Sequence, residues 1–196
     1  MVQNPTTYYV WIGGSCDYGH KERAGGAAVV IEQMEQREQS QTCLTSAESR
    51  QKKTKGQHGG SIISRDVISD LHTTEFRMML TLMVKVMNAI PNYSDILFLT
   101  NVAYIQNFDY IFVRHDSAES KQVLVSALAA PSVDKTPTAK STNPDLITQC
   151  IKAKTQHNSV SVKIVQYHKS PLLIETHDMA TEAMTKTKKE YYHDIQ

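Results

Sequence analysis

The sequence predicts an α/β fold with a five-stranded mixed sheet, in which three antiparallel strands are joined by two parallel ones and helices flank the sheet. Three strand-like segments come first, which is typical of an antiparallel meander. Two further short apolar segments are each reached through a helical pattern, so those strands should add in parallel. The chain has 196 residues, of which 40% are hydrophobic, and this suits one globular domain over residues 1–196.

The three leading strands are predicted over residues 8–12, 24–32 and 61–70. The first is aromatic and β-branched, and Gly13-Gly14 is expected to stop it. The second contains glycines that permit close backbone approach. The stretch at about 33–60 is rich in Gln, Glu, Ser and Lys, and it is expected to form a long polar hairpin loop.

The first helix is predicted to begin after Thr73 or Thr74 as N-cap, with Glu75 in its first turn, and to end near Pro91. An apolar stripe with alternating spacings of four and three residues supports it. The run at 95–100 predicts a buried parallel strand. Short helices are predicted at 102–108 and 117–130, followed by a proline-rich variable loop at about 131–143.

The last three elements are a helix at 145–156, a strand at 159–166 and a final helix at 175–189. Asn143 is the expected N-cap of the first of these, with Pro144 at the first helical position. The final helix should turn its inner face to the sheet through Met179, Ala180, Ala183 and Met184.

Net charge and cysteine content limit the classes of protein to which this chain can belong. The formal net charge is +1, so nucleic-acid binding would need a local basic patch. Cys16, Cys43 and Cys150 are an odd number of distant cysteines without a CxxC pair, which argues against disulfides or zinc. Neither a leader-like segment nor a membrane-spanning run is apparent, so we expect no membrane association and a cytoplasmic location.

Six short motifs are spread along nearly the whole chain, and their order and spacing matter as much as their residues. They are WIGGSC (11–16), AGGAAVVI (24–31), HTTEFRMML (72–80), LFLTN (97–101), NPDLI (143–147) and VQYHKS leading to HDMATEAM (165–184). Together they resemble type 1 ribonuclease H. The resemblance implies the ribonuclease H-like fold. It also implies a site where four carboxylates hold two magnesium ions that activate a water.

This chain departs from that carboxylate set. The four positions fall on Gly13, Met79, Asn101 and Asp178, so only the last is an acid. We therefore expect no catalytic residues, no bound metal and no ordinary ribonuclease H activity, while the question of enzyme or non-enzyme stays open. Met79 would extend the apolar face of its helix instead.

Two further sets of residues are candidates for a site. A displaced metal site, for Mg²⁺ or Mn²⁺, would use Asp178, Glu75, Asp17 and Glu175; Asp178 and Glu75 are equally explained as acids in the first turns of their helices. Nucleic-acid contacts would come from a basic run in the polar loop and from the loop near the last strand. These candidates are Lys52, Lys53, Lys55, His168 and Lys169.

Three functions remain open on this basis. The first is a catalytically degenerate, non-hydrolytic module that binds RNA or an RNA/DNA hybrid. The second is a scaffold that binds a protein partner or self-associates. The third is a metal-dependent ribonuclease H with displaced carboxylates.

Overall fold

The computed structural model describes residues 5–19, 22–34, 60–103, 105, 113–114 and 143–193. Its strands are β1 (Thr7–Cys16), β2 (Gly25–Met34), β3 (Gly60–Asp70), β4 (Asp95–Thr100), β5 (Val113–Arg114) and β6 (Ser159–Ile164). Its helices are α1 (Glu75–Ala89), α2 (Pro144–Lys154) and α3 (Pro171–His193), with a 3₁₀ helix at Tyr167–Lys169. The predicted helix at 117–130, most of that at 102–108, and the central parts of both predicted loops lie outside the described residues.

The strands form one mixed sheet in the order β3-β2-β1-β4-β6-β5. β1 pairs antiparallel with β2, and β2 with β3, while β4 runs parallel to β1 and β6 parallel to β4. This confirms the predicted five strands with three antiparallel and two parallel. The two-residue β5 adds a sixth strand, parallel to β6 at the outer edge. It was not predicted because two residues carry no periodic pattern.

Helices α1 and α2 cover one face of the sheet. Helix α1 begins as predicted: Thr74 is its N-cap and accepts a hydrogen bond from the backbone N–H of Arg77 at 3.2 Å. Eight of its residues are buried against the even-numbered residues of β1 and the odd-numbered residues of β2. The apolar area removed from water on this face is the main stabilising contribution to the fold.

Helix α3 covers the opposite face, where a smaller apolar cluster includes Trp11 and Leu173. The buried Trp11 indole donates a hydrogen bond to the carboxylate of Glu32 at 2.5 Å, which satisfies both polar groups. The helix lies very close to the sheet. A Cβ atom on Gly26 would overlap the backbone carbonyl of Ala180, so glycine is required there.

Two predictions about local structure are wrong, and a third, the inner face of α3, is confirmed for the fully buried Ala180. Strand β1 does not stop at Gly13-Gly14, because both glycines stay paired with Ala28 and Ala27 of β2. Helix α3 begins at Pro171 and not at 175, so Asp178 lies in its third turn, too far along to interact with the amino-terminal dipole. The buried residues of α3 are Leu173, Thr176 and Ala180; of the predicted inner face, Met179, Ala183 and Met184 are only partly buried.

Asn143 does stand at the N-cap of α2, with Pro144 following as predicted, but its side chain makes no capping bond. Its backbone is left-handed, with φ of 62°, and its amide oxygen accepts from the Arg77 guanidinium at 3.1 Å. Within the described ranges, no helix combines the length and apolar character needed to cross a membrane.

Candidate functional site

The site predicted from the sequence lies beside the end of β4, where β1 continues without its parallel neighbour. The two strands are parallel, and their pairing runs up to Trp11 and Leu99. Strand β4 ends at Thr100, whereas β1 continues to Cys16. The sheet therefore opens beside Gly13 and Gly14, and we call this gap the β1–β4 opening.

On one side of the sheet, helix α3 occupies the space next to Gly13. A Cβ atom placed on Gly13 would lie 2.8 Å from Thr176 Oγ1 and 3.0 Å from the backbone nitrogen of His177. Thr176 is fully buried and its hydroxyl donates to the Leu173 carbonyl, so it has little room to move. No carboxylate side chain fits at this position without displacing the helix.

On the other side, α1 closes over Gly14. A Cβ atom there would lie 2.7 Å from Glu75 Cγ and 3.1 Å from Met79 Cγ. Met79 has no exposed surface, in agreement with the prediction that it extends the apolar face of α1. Glu75 is half-buried at the opening, and burial raises the pKa of its carboxyl, while the charge of the nearby His177 opposes that rise.

His177 reaches the opening from α3. Its Nδ1 lies 3.1 Å from the Gly14 carbonyl oxygen, a contact in which the ring nitrogen must be the protonated donor. Its ring meets that of Tyr167 edge-on at a centroid distance of 5.6 Å, and Tyr167 in turn meets His168 at 5.3 Å. His177 was not among the residues predicted for the site, and its sequence signal is its position directly before Asp178.

The predicted acids are not brought together. Asp17 pairs with Lys188 at 2.5 Å, and Glu175 pairs with Arg65 at 2.6 Å on the β3 side of the sheet. Asp178 is exposed on α3. In the part of the chain that the structure describes, no three His, Cys, Asp or Glu side chains lie close enough to hold a metal ion.

These residues do not fit a two-magnesium site. Gly13 has no donor atom and no room for one, and Met79 offers a buried thioether, which hard cations do not use as a ligand. Asn101 is exposed at the end of β4 and could supply only a neutral carbonyl oxygen. The dehydration of Mg²⁺ would therefore go uncompensated.

The basic candidates divide into two groups. His168 and Lys169 are exposed in the 3₁₀ helix that follows β6, at the same edge of the sheet as the β1–β4 opening. Lys52, Lys53 and Lys55 lie outside the described residues. The edge thus carries two exposed basic residues beside the partly buried Tyr167, and among the described residues it has no convergent carboxylate set.

The strand order, with α1 and α2 on one face, α3 on the other and the opening between β1 and β4, defines a ribonuclease H-like fold. Solved structures agree. LC9-RNase H1, described as a type 1 RNase H with the type 2 active-site motif, matches with a TM-score of 0.61 at 17% identity, covering 95% of this chain and 76% of its own.

A second similar structure is the foamy viral protease-reverse transcriptase in complex with dsDNA. It matches with a TM-score of 0.52 at 10% identity, over 91% of this chain and 93% of its own. No protein-family model matches the chain, and no curated protein matches its sequence. The chain has the ribonuclease H-like fold, and identities this low show the fold alone.

Proposed function

We propose that this domain is a catalytically degenerate ribonuclease H-like module that binds RNA or an RNA/DNA hybrid without hydrolysing it. The observation that carries the proposal is the position of α3 against Gly13. The backbone of His177 lies 3.0 Å from where a Cβ atom would stand, so the first carboxylate is excluded by packing as well as by sequence.

Loss of the acids changes the electrostatics of the edge. Clustered carboxylates repel a phosphate backbone unless metal ions neutralise them. Here Asp17 is neutralised by Lys188, and Glu175 by Arg65. Two of the four candidate acids are thereby neutralised, which weakens the repulsion of a polyanion at this edge but does not remove it, because Asp178 is exposed on α3 and Glu75 lies at the opening.

The binding part of the proposal is supported by exposed side chains and by analogy of fold. His168 and Lys169 are exposed beside Tyr167, where they could contact a phosphate. One neighbour in fold is described as a ribonuclease H, and the other is described in complex with dsDNA. Because the chain is nearly neutral overall, binding should depend on such local groups and weaken with salt.

The test uses one preparation for two assays. A hybrid with a labelled RNA strand is titrated for binding by fluorescence anisotropy at low salt, then incubated with Mg²⁺ and separately with Mn²⁺ and analysed for cleavage. We expect binding without cleavage. Divalent-dependent cleavage that is lost in Asp178→Ala would overturn the proposal and support the displaced-carboxylate alternative. Absence of binding to hybrid, duplex RNA and single strands would remove the nucleic-acid function.

One observation favours the scaffold alternative. β3 is an edge strand, and Ile62, Ile63 and Val67 on it are 41%, 50% and 40% exposed. Exposed β-branched residues on an edge strand favour pairing with another strand. If this edge mediates self-association, light scattering will show a dimer that Val67→Lys converts to a monomer.

A further inference from the structure

The turn between β1 and β2 carries an aromatic residue, Tyr18, that lies outside the buried core. Tyr18 is 60% exposed, although it lies next to the β1–β4 opening. Burial against its neighbours, which include Glu75 and Cys16, raises the pKa of the Tyr18 hydroxyl. More than half of the residue nevertheless lies open to solvent.

A positive side chain stands across the turn from this ring. The β1–β2 register pairs Cys16 with Gly25, and the Asp17 N–H donates to the Ala24 carbonyl at 2.9 Å. Beyond this last hydrogen bond, Tyr18 is the next residue on the β1 side of the turn and Arg23 is the next on the β2 side. Within the described ranges, no carboxylate forms an ion pair with the exposed Arg23 guanidinium, whereas the neighbouring Glu22 is paired with His72 at 3.2 Å.

The backbone holding Arg23 is strained and fixed. Arg23 and His72 both have positive φ, at 40° and 52°, a region that side chains other than glycine rarely adopt. Two hydrogen bonds lock the pair of loops: His72 N–H donates to the Glu22 carbonyl at 2.7 Å, and Thr73 N–H to the Arg23 carbonyl at 3.1 Å. The loop that presents the guanidinium is thus tied to the start of α1.

We propose that Tyr18 and Arg23 form a binding site for one unpaired nucleotide, with the base stacked on the Tyr18 ring and its phosphate held by the Arg23 guanidinium. The inference rests on the proposed nucleic-acid function and names its ligand class as single-stranded. A base inside a duplex offers no free face to a ring, while an unpaired base does. Because the backbone that carries Arg23 is already held by two hydrogen bonds, the loop loses little conformational entropy on binding.

The chain offers a matched control. Tyr93 is 79% exposed and precedes the amino end of β4, so it lies at the opposite edge of the sheet from Tyr18. Replacing either tyrosine with alanine removes a similar exposed ring. Only one of the two replacements should change binding.

The experiment uses the full chain and a short single-stranded RNA carrying 2-aminopurine, whose fluorescence is quenched by stacking, with a blunt-ended hybrid of the same sequence as second ligand. We expect Tyr18→Ala to weaken single-strand binding by about 5- to 100-fold and to abolish quenching, with Tyr18→Phe retaining most of both. Affinity falls with salt, so the slope of log affinity against log salt is negative, and Arg23→Gln should reduce its magnitude by about 0.7. Tyr93→Ala should match the wild type.

The outcomes separate this inference from the proposed function. If the wild type binds hybrid but not the single strand, or if Tyr18→Ala binds both ligands as the wild type does, the nucleotide site is wrong and the proposed function stands. If the wild type binds neither ligand, both fail. Circular dichroism of each variant establishes that the fold is retained.

Discussion

Replacing Gly13 with alanine tests the packing on which the degenerate site depends. The added Cβ atom would lie 2.8 Å from Thr176 Oγ1 and 3.0 Å from the His177 nitrogen, both closer than an ordinary van der Waals contact. Forcing one methyl group into a packed core costs about 1–3 kcal/mol. Gly13 has no positive φ, so alanine can adopt the same backbone conformation. Alanine also lowers the conformational entropy of the unfolded chain, and this offsets about 0.4–1 kcal/mol of the cost.

The expected net loss is therefore centred on about 1.3 kcal/mol, within a range of about 0–2.6 kcal/mol, and for a chain of this size the central value corresponds to a fall in Tm of roughly 3–5 °C. Urea unfolding followed by circular dichroism measures it directly. Gly19→Ala is the matched control, because among the described residues its Cβ atom would meet Asp17 Oδ1 alone, at 3.6 Å, and it too has no positive φ. That variant should be as stable as the wild type or slightly more so.

A double variant locates the strain. Thr176→Ala removes the atom nearest the new methyl group, so it should be less damaging in the Gly13→Ala protein than in the wild type, although it forfeits the hydrogen bond to Leu173 in both. If Gly13→Ala unfolds at the wild-type urea concentration or above it, α3 does not press on Gly13. The argument that packing excludes the first carboxylate would then be refuted.

Three further variants or measurements test other parts of the structure. Met79→Glu places a lone carboxylate at a fully buried position and should lower stability by about 1–3 kcal/mol at neutral pH; an unchanged Tm would show that Met79 faces water. Burial raises the pKa of Glu75, so its ionised form costs stability above that pKa and costs nothing once the pH is below the unfolded value. The free energy of unfolding of Glu75→Gln, relative to that of the wild type, should therefore be higher at about pH 7 than at about pH 4, as measured by urea unfolding. The opposite order would contradict the burial of Glu75. Burial raises the pKa of Cys150 to about 12, so iodoacetamide should alkylate it only after unfolding, as read by mass spectrometry; rapid labelling of the native protein would be inconsistent with its position.

Local pattern was sufficient for most of the elements. The run at 95–100 is bounded by polar residues and became β4 with the predicted limits, and α1 is capped by Thr74, one of the two predicted N-cap residues. One error occurred where partners outside the segment decide the outcome. Gly13-Gly14 was expected to end β1, yet nine consecutive pairs with β2 carry the strand through both glycines. The other error was local: helix α3 begins four residues before its predicted start, at Ser170-Pro171, where a serine followed by proline is itself a helix-start signal that the prediction did not use.

The sequence alone determined the fold class, since the order of strand and helix patterns leaves few ways to build a covered mixed sheet. It also determined that three of the four expected acids are absent, because residue identity needs no coordinates. Only the tertiary structure decided what stands in their place: the α3 backbone against Gly13, the Met79 side chain in the core, and Glu75 and His177 at the opening. These contacts join residues about a hundred positions or more apart in several cases, and such contacts depend on how closely two packed layers approach, which no local pattern records.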